Sequence, residues 1–485
     1  MSLWLTALFG IFLLVPQVFG LRRDFNTSAY NSTTFANSSD SFPYKNSFTS
    51  NNFQFKGITL GGWLVLEPYI TPSIFAKVNG TTDHKIIDEY HLCKYLGDEA
   101  HDILTQHWSS WYNESDFRDI KNYGFNMIRI PIGYWAFEKL KGDPYVMGAQ
   151  EYLDRAIDWA HKYDLKVWVD LHGAPGSQNG FDNSGLFLNN TPTWQDKQEN
   201  IDLTSRVLQK IYTKYGSKEF SEKYGDTILG IEVLNEPLGG KLSMDKLKDF
   251  YKKSYYDARL YQDTNNTIVL HDAFQGLGYW NHFLDTRGNS SSRLSNYNIL
   301  IDHHHYEVFT PSQLNLTIEE HISNIANYAL DINKEMEYHP AVVGEWSAAL
   351  TDCTPFLNSI GYGTRWEGTA PYDNPPVNNT AYGKCADINN WDTWTKKHKV
   401  DTRKFIEIQL DRYENKTMGW IFWCYKTETT IEWDFVRLTK LGLFPQPFSD
   451  RKYIRNGHDT KPDSMGSKNS FSLGVLVAVS LALLI

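Results

Sequence analysis

The stretch ILGIEVLNEPLGG, residues 228–240, opens as a buried strand and closes on Asn235-Glu236-Pro237. Its first half is apolar and β-branched, which suits a strand covered on both faces. Its end carries an amide and a carboxylate, and the proline then forbids further pairing. Taken alone, the stretch has two readings. It is a solvated strand cap leading into a turn, or a rigid strand that presents Glu236 at the mouth of a site with Asn235 beside it. The rest of the chain decides between them.

From Phe53 to about Gly457 the same kind of run recurs. Short apolar segments at 57–66, 126–135, 166–173, 228–237, 267–274, 298–306, 340–348 and 418–425 read as strands. Helical periodicity falls between them, for example at 152–164, 244–261, 318–336 and 402–414. Eight strand–helix units of this kind predict an α/β fold, a (β/α)8 TIM barrel, in preference to an open doubly wound sheet. No glycine-rich dinucleotide fingerprint or Walker loop follows any strand, and no cofactor is expected. A barrel carries its chemistry at the C-terminal ends of its strands. Polar residues gather there: Glu67 after the first run, Arg129 and Tyr134 in the second, His172 in the third, Asn235 and Glu236 in the fourth. His304 and Tyr306 close the sixth, Glu345 lies in the seventh and Trp423 in the eighth. Packing does not require so many polar groups on one rim. Glu236 is expected to face a site.

The 485 residues leave room for this single domain at 53–457 and for tails. Residues 1–20 read as a signal peptide without the usual positive charge at its start, and 21–52 as an Asn/Ser/Thr-rich arm without periodicity. Residues 458–485 hold a polar spacer with Ser464, Gly466 and Ser467, then an apolar run to the last residue. That run is short for a membrane span and has no basic cluster after it, which is the form of a glycosylphosphatidylinositol anchor signal. N-x-S/T motifs begin at Asn26, Asn31, Asn37, Asn79, Asn113, Asn189, Asn265, Asn289, Asn315, Asn378 and Asn415, in keeping with a secreted, cell-surface glycoprotein. The formal charge of −10, with no basic stripe, argues against a nucleic-acid partner, and none is expected. Cys353 and Cys385 bracket a loop rich in Gly, Pro and Asn and are the expected disulfide; the pairing of Cys93 and Cys424 stays open. The aromatic fraction of 15% fills a large core, and where Trp and Tyr reach a cleft their flat faces suit sugar rings.

Glu236 and Glu345 end the fourth and seventh strands on opposite sides of the expected barrel mouth. Two glutamates converging without metal-ligand spacing fit hydrolysis of an acetal, one donating a proton and the other attacking the anomeric carbon. Arg129 nearby would help to keep the attacking carboxylate ionised, and a structural ion pair is a companion role for it. His303-His304-His305 does not make a metal site by itself, because neighbours on a strand point to opposite faces. Asp302, His304 and Tyr306 share one face and suit a sugar hydroxyl or the orientation of the nucleophile. No metal is expected.

The blocks GGWLVLEPYITPS, IRIPIGYWAF, DLHGAPGSQNGFDNSG, LNEPLG, DHHHYEVF, VGEWSAALTDC and GWIFWCYKTE resemble the fungal exo-β-1,3-glucanases of glycoside hydrolase family five, from about residue 55 to 448. The resemblance implies release of glucose from the non-reducing ends of cell-wall β-1,3-glucan by a retaining mechanism. It implies Glu236 as proton donor and Glu345 as nucleophile, with substrate contacts from Glu67, Arg129, His172, Asn235, His304, Tyr306 and Trp423. Phe181 and Phe309 match an aromatic pair that clamps the next glucose, and Asp182 and Asn183 line the same end. Thr59 and Tyr425 depart from the familiar pattern, and Tyr425 is expected to bear on a subsite. The C-terminal signal resembles the membrane- or wall-attached branch, and a monomer is expected. A β-1,6-glucanase, a glucan transglycosylase and a non-catalytic wall-binding protein are the alternatives.

Overall fold

The computed structural model describes residues 53–81, 84–262, 264–284, 298–370, 381–456 and 458–459. The expected signal peptide, the arm and nearly all of the anchor segment lie outside these residues, as do Asn26, Asn31, Asn37, Asn289 and Asn378. Eight parallel strands close into one barrel in sequence order: β1 (Phe55–Thr59), β2 (Met127–Gly133), β3 (Lys166–Gly173) and β4 (Ile228–Glu232), then β5 (Thr267–His271), β6 (Ile299–His304), β7 (Ala341–Trp346) and β8 (Gly419–Phe422). β1 pairs with both β2 and β8, which leaves no open edge.

The helices that matter here are α1 (Glu89–Leu96), α2 (Glu114–Asn122), α3 (Ala149–Lys162), α4 (Gln198–Tyr215), α5 (Met244–Tyr256), α6 (Ile318–Glu335), α7 (Lys396–Lys416) and α8 (Phe435–Lys440). Several begin at residues chosen for the task. Thr317 and Glu320 form a reciprocal capping box at α6, and Thr395 caps α7. That cap explains why α7 starts at Lys396, ahead of the apolar pattern that begins near 402. Among the described residues no helix stands between β5 and β6, so the helix of the fifth expected strand–helix unit is not seen there.

One side chain from each strand plugs the lower end of the barrel: Phe55, Met127, Trp168, Leu229, Val269, Leu300, Val342 and Ile421. Burial of each such group is worth roughly 1.5–3 kcal/mol. Two residues further along β2, β3, β5 and β6 the same face turns polar, with Arg129, Asp170, His271 and Asp302 all fully buried. Polarity therefore increases toward the C-terminal rim. The strands are also shorter than their apolar runs. β4 ends at Glu232, not at Pro237, and the next residues leave the ladder while still tethered, Val233 N–H to Val269 O at 3.2 Å and Asn235 N–H to Leu171 O at 3.0 Å. Cys353 and Cys385 are bonded to each other, while Cys93 and Cys424 are separate buried thiols.

Candidate active site

The site grows from Arg129, which β2 carries into the barrel with no exposed surface. Its Nη1 donates to Glu345 Oε1 at 2.5 Å, and its Nη2 donates to Glu232 Oε2 at 2.8 Å and to Asn235 Oδ1 at 2.7 Å. Asp170 Oδ2 lies 3.1 Å from the same nitrogen. One guanidinium thus ties three carboxyl groups from β3, β4 and β7 to the amide that precedes Glu236. Burial pushes Glu232 well above the ordinary carboxylate range and Asp170 up to about 6, against the pull of Arg129 on both.

Glu236 stands just beyond β4 with φ +46°, a left-handed backbone that a non-glycine residue adopts only where its surroundings impose it. Gln178 supplies part of that constraint, because its Nε2 donates to both His172 O and Asn235 O, while Leu238 N–H returns to Gln178 O. The Glu236 carboxyl meets His304 Nδ1 at 2.8 Å through Oε1 and accepts from Asn183 Nδ2 at 3.2 Å through Oε2. Glu345, opposite, accepts from Arg129 and, through Oε2, from the Tyr306 hydroxyl at 2.8 Å. His304 Nδ1 lies 3.4 Å from that same Oε2, and its Nε2 lies 3.2 Å from Asp302 Oδ2. His304 therefore stands between the two glutamates and is anchored from below.

The electrostatics follow from this contact set. Burial raises Glu236, but the hydrogen bond and charge of His304 outweigh it and the carboxyl ends below its ordinary range. Burial opposes charge on His304 too, yet Glu345, Asp302 and Glu236 hold its proton on. These two directions describe one proton along a 2.8 Å contact, on His304 when Glu236 is ionised and on Glu236 when His304 is neutral. Burial pushes Glu345 to about 7 against the pull of His304 and Arg129. Its Oε1 nevertheless accepts from a guanidinium that can only donate, and its Oε2 from the Tyr306 hydroxyl, which is the environment of a carboxylate.

The remaining expected residues fall around this centre. Glu67 Oε1 accepts from Gly62 N–H at 3.2 Å; burial, then the charges of Glu345 and Asp182, keep its carboxyl well above the usual range. His172 meets Asp170 Oδ2 through Nδ1 at 2.6 Å, and burial and then Arg129 lower it to about 4. The Trp423 ring stacks on His172 at 5.5 Å, and its indole N–H donates to the Tyr69 hydroxyl. Asp182 has a buried oxygen without a hydrogen-bond partner among the described residues. Phe181 is half-buried; Phe309 is exposed and packs on Tyr306 and Trp433.

Two expectations need correction. Tyr134 does not reach the rim, because its hydroxyl turns back to Asp143 Oδ2 at 2.6 Å. Tyr425 lines no subsite: it is buried against Tyr112 and Phe435 in the layer between barrel and helices. Sequence reading also passed over Asp170, Glu232, Tyr69 and His271. Glu232 had a signal, since a carboxylate in the middle of the apolar run GIEVL serves no apolar core. Among the described residues two trios of ligand-type groups occur, Glu236 with His271 and His304, and Glu232 with Asp302 and His304. Both share His304, whose two nitrogens already meet carboxylates. In His271, Nδ1 accepts from Ala273 N–H at 3.0 Å, so its proton is on Nε2 and neither nitrogen offers a lone pair.

A closed (β/α)8 barrel whose C-terminal rim gathers a pair of glutamates around a cation is the build of a glycoside hydrolase. The family model of cellulase, glycosyl hydrolase family 5, matches residues 97–362. A glucan 1,3-beta-glucosidase 2 of Candida albicans is 52% identical over 451 residues, covering 90% of this chain and 92% of that protein. A glucan 1,3-beta-glucosidase of Kluyveromyces lactis is 49% identical across 84% of the chain and 92% of its own length. A sporulation-specific glucan 1,3-beta-glucosidase of Saccharomyces cerevisiae is 49% identical across 84% and 89%. The chain belongs to glycosyl hydrolase family 5. Among solved structures, a rutinosidase from Aspergillus niger superposes with a TM-score of 0.59 at 18% identity, covering 83% of this chain and 100% of that one, a likeness of fold alone.

Proposed function

We propose that this glycoside hydrolase is a retaining exo-acting glucan 1,3-β-glucosidase, with Glu345 as nucleophile and Glu236 as proton donor. The carrying observation is that both carboxyl groups face His304 Nδ1, at 2.8 Å and 3.4 Å. Those two distances laid end to end, about 6.2 Å, cap the separation between one oxygen of each. Retaining pairs stand ~5–5.5 Å apart, and inverting pairs ~6.5–9.5 Å, to leave room for a water. The relatives named above support the β-1,3-glucan substrate.

In the first step Glu345, oriented by Arg129 and Tyr306, attacks the anomeric carbon while the proton shared by His304 and Glu236 passes from Glu236 to the leaving oxygen. A glycosyl ester forms on Glu345. Water, deprotonated by Glu236, then attacks the same carbon from the opposite side, frees Glu345 and returns the proton to Glu236. Proton NMR of laminaritriose hydrolysis tests this directly: β-glucose should appear first and mutarotate afterwards. First appearance of the α anomer, or cleavage of β-1,6-glucan in preference to β-1,3-glucan, would overturn the reading.

The terminal segments, which the described residues do not include, support a secretory route and attachment at the cell surface through a glycosylphosphatidylinositol anchor, where the enzyme would act on wall glucan as a monomer. A phospholipase specific for phosphatidylinositol should then release active enzyme from intact cells, and truncation before Ser464 should send it into the medium. Recovery of peptide 471–485 from the mature protein would contradict the anchor.

A further inference from the structure

We propose that Asp88 and Glu89 form a buried strap that fixes the two loops bounding the substrate pocket, and that this strap, remote from the reacting atoms, sets the preference for oligosaccharide. The inference rests on the glucosidase reading given above.

Both carboxylates are fully buried, at the start of α1. Glu89 Oε2 accepts from Leu66 N–H at 2.9 Å, one residue before Glu67, and its Oε1 accepts from the Trp135 indole N–H at 2.8 Å. Asp88 Oδ2 accepts from Phe187 N–H at 2.7 Å, and Tyr90 N–H donates to Gly185 O at 2.9 Å. Residues 185–187 close the loop that carries Phe181, Asp182 and Asn183, and Asn183 is the residue that reaches Glu236. The dipeptide therefore ties the β1 loop with Glu67, the end of β2 and the β3 loop to one another. No member of the strap contacts Glu236 or Glu345; Asp88 and Glu89 are positioning residues.

Helix capping alone does not account for these bonds. The capping role of Asp88 is discharged by Oδ1, which accepts from His91 N–H at 2.7 Å; Oδ2 accepts from the Phe187 N–H at 2.7 Å and also meets the His91 ring, whose Nδ1 stands 2.7 Å from Oδ1 and 2.9 Å from Oδ2. Glu89 spends neither oxygen on its own helix. Burying a carboxyl group is costly unless hydrogen bonds offset it, and the bonds that do so for Glu89 go to Leu66 and Trp135 in distant segments and none to its own helix; burial pushes it up to about 7.

The two residues act on different sides of the scissile bond, which gives the test its contrast. Asp88→Ser keeps an N-cap hydroxyl for His91 but is too short to serve Phe187 as well, so α1 is preserved and only the β3 loop is released. In the purified enzyme, kcat/KM for laminaritriose should fall at least five-fold through KM. Turnover of an aryl β-glucoside, which has no second glucose, should fall by a clearly smaller factor, through the Asn183–Glu236 bond alone, with the thermal midpoint a few degrees below that of the wild type. Glu89→Gln, which places an amide N–H against one of two donors and loosens Glu67, should lower both substrates by similar factors. An Asp88→Ser enzyme with unchanged laminaritriose kinetics, or with equal losses on both substrates, would overturn the proposal. If Asp88→Ser does not fold, Phe187→Pro, which removes the donor and leaves Asp88 intact, must give the same split. Failure of the wild type to cleave laminaritriose at all would count against the glucosidase reading itself.

Discussion

Tyr306 offers the sharpest test at the scale of single residues, because its hydroxyl touches the proposed nucleophile and nothing else in the carboxylate pair. A hydrogen bond to the ionised form of an acid lowers its pKa, so its removal raises it. In Tyr306→Phe the acidic limb of kcat/KM should therefore move to higher pH, by about 0.5–1 unit, with kcat reduced roughly ten-fold. An unmoved limb would mean that Tyr306 serves the substrate and not Glu345. Glu236→Ala removes the proton donor while leaving Arg129, Tyr306 and Glu345 in place. An aryl glucoside with a good leaving group needs no protonation, so its first step should survive, and azide should then accelerate breakdown and give a β-glycosyl azide. Glu345→Gln should lose ~10³-fold or more in kcat, and azide should not restore a retained product. A β-azide from Glu345→Gln and none from Glu236→Ala would reverse the two roles.

Loops after β3 and β6 carry Phe181 and Phe309, and here the element matters more than the residue. Phe309 precedes a short helical turn, Pro311–Leu314, capped by Thr310 and Gln313, which holds an exposed aromatic ring at the rim. Replacing both phenylalanines by Ala should weaken laminari-oligosaccharide binding, with each aromatic contact worth about 0.5–1.5 kcal/mol, while aryl glucoside turnover changes little. Equal losses on both substrates would place the rings in the first glucose site instead. Much of this arrangement was legible in the sequence, because barrel strands announce themselves as apolar runs and rim residues as polar interruptions. Strand ends were less legible: β1 and β4 leave the ladder several residues before their apolar runs end, since a chain climbing out of the barrel stays buried beneath its loops. Tyr134 and Tyr425 misled for a related reason. A tyrosine next to a strand end has no sequence mark for which side of the wall it faces. The Asp88–Glu89 strap was not legible either, since its bonds go to backbone N–H groups of distant loops that no side-chain pattern reveals.

Across the whole molecule, the barrel and its loops hold several carboxyl groups away from water, and this has a consequence for stability apart from catalysis. Burial raises Glu89 and Asp182 to about 7 and Glu432 to about 8. An unfolded chain loses these protons near its ordinary values, whereas the folded one keeps them longer, so unfolding releases protons and stability falls as pH rises toward 8. His303, held charged by Asp272 and Glu335 up to about 10, adds a loss of the same sign above pH 6.5. Burial has the opposite effect on His107, His172 and His398, each lowered to about 4, and their stabilisation is lost only as pH falls below 6.5. Above 6.5 the buried acids and His303 therefore act together without opposition from these three histidines. The melting temperature should decline steadily between pH 6.5 and 8. Glu432 isolates the effect, because it sits behind the site, accepting from Leu350 N–H and the Thr351 hydroxyl at 3.3 Å each. Glu432→Gln keeps the shape and an acceptor but has no proton to lose. It should flatten that decline by about 2 kcal/mol, or ~2–4 °C, over this interval, and leave the pH profile of kcat/KM unchanged. A variant whose melting temperature tracks the wild type across the whole range would show that Glu432 is already ionised in the folded barrel.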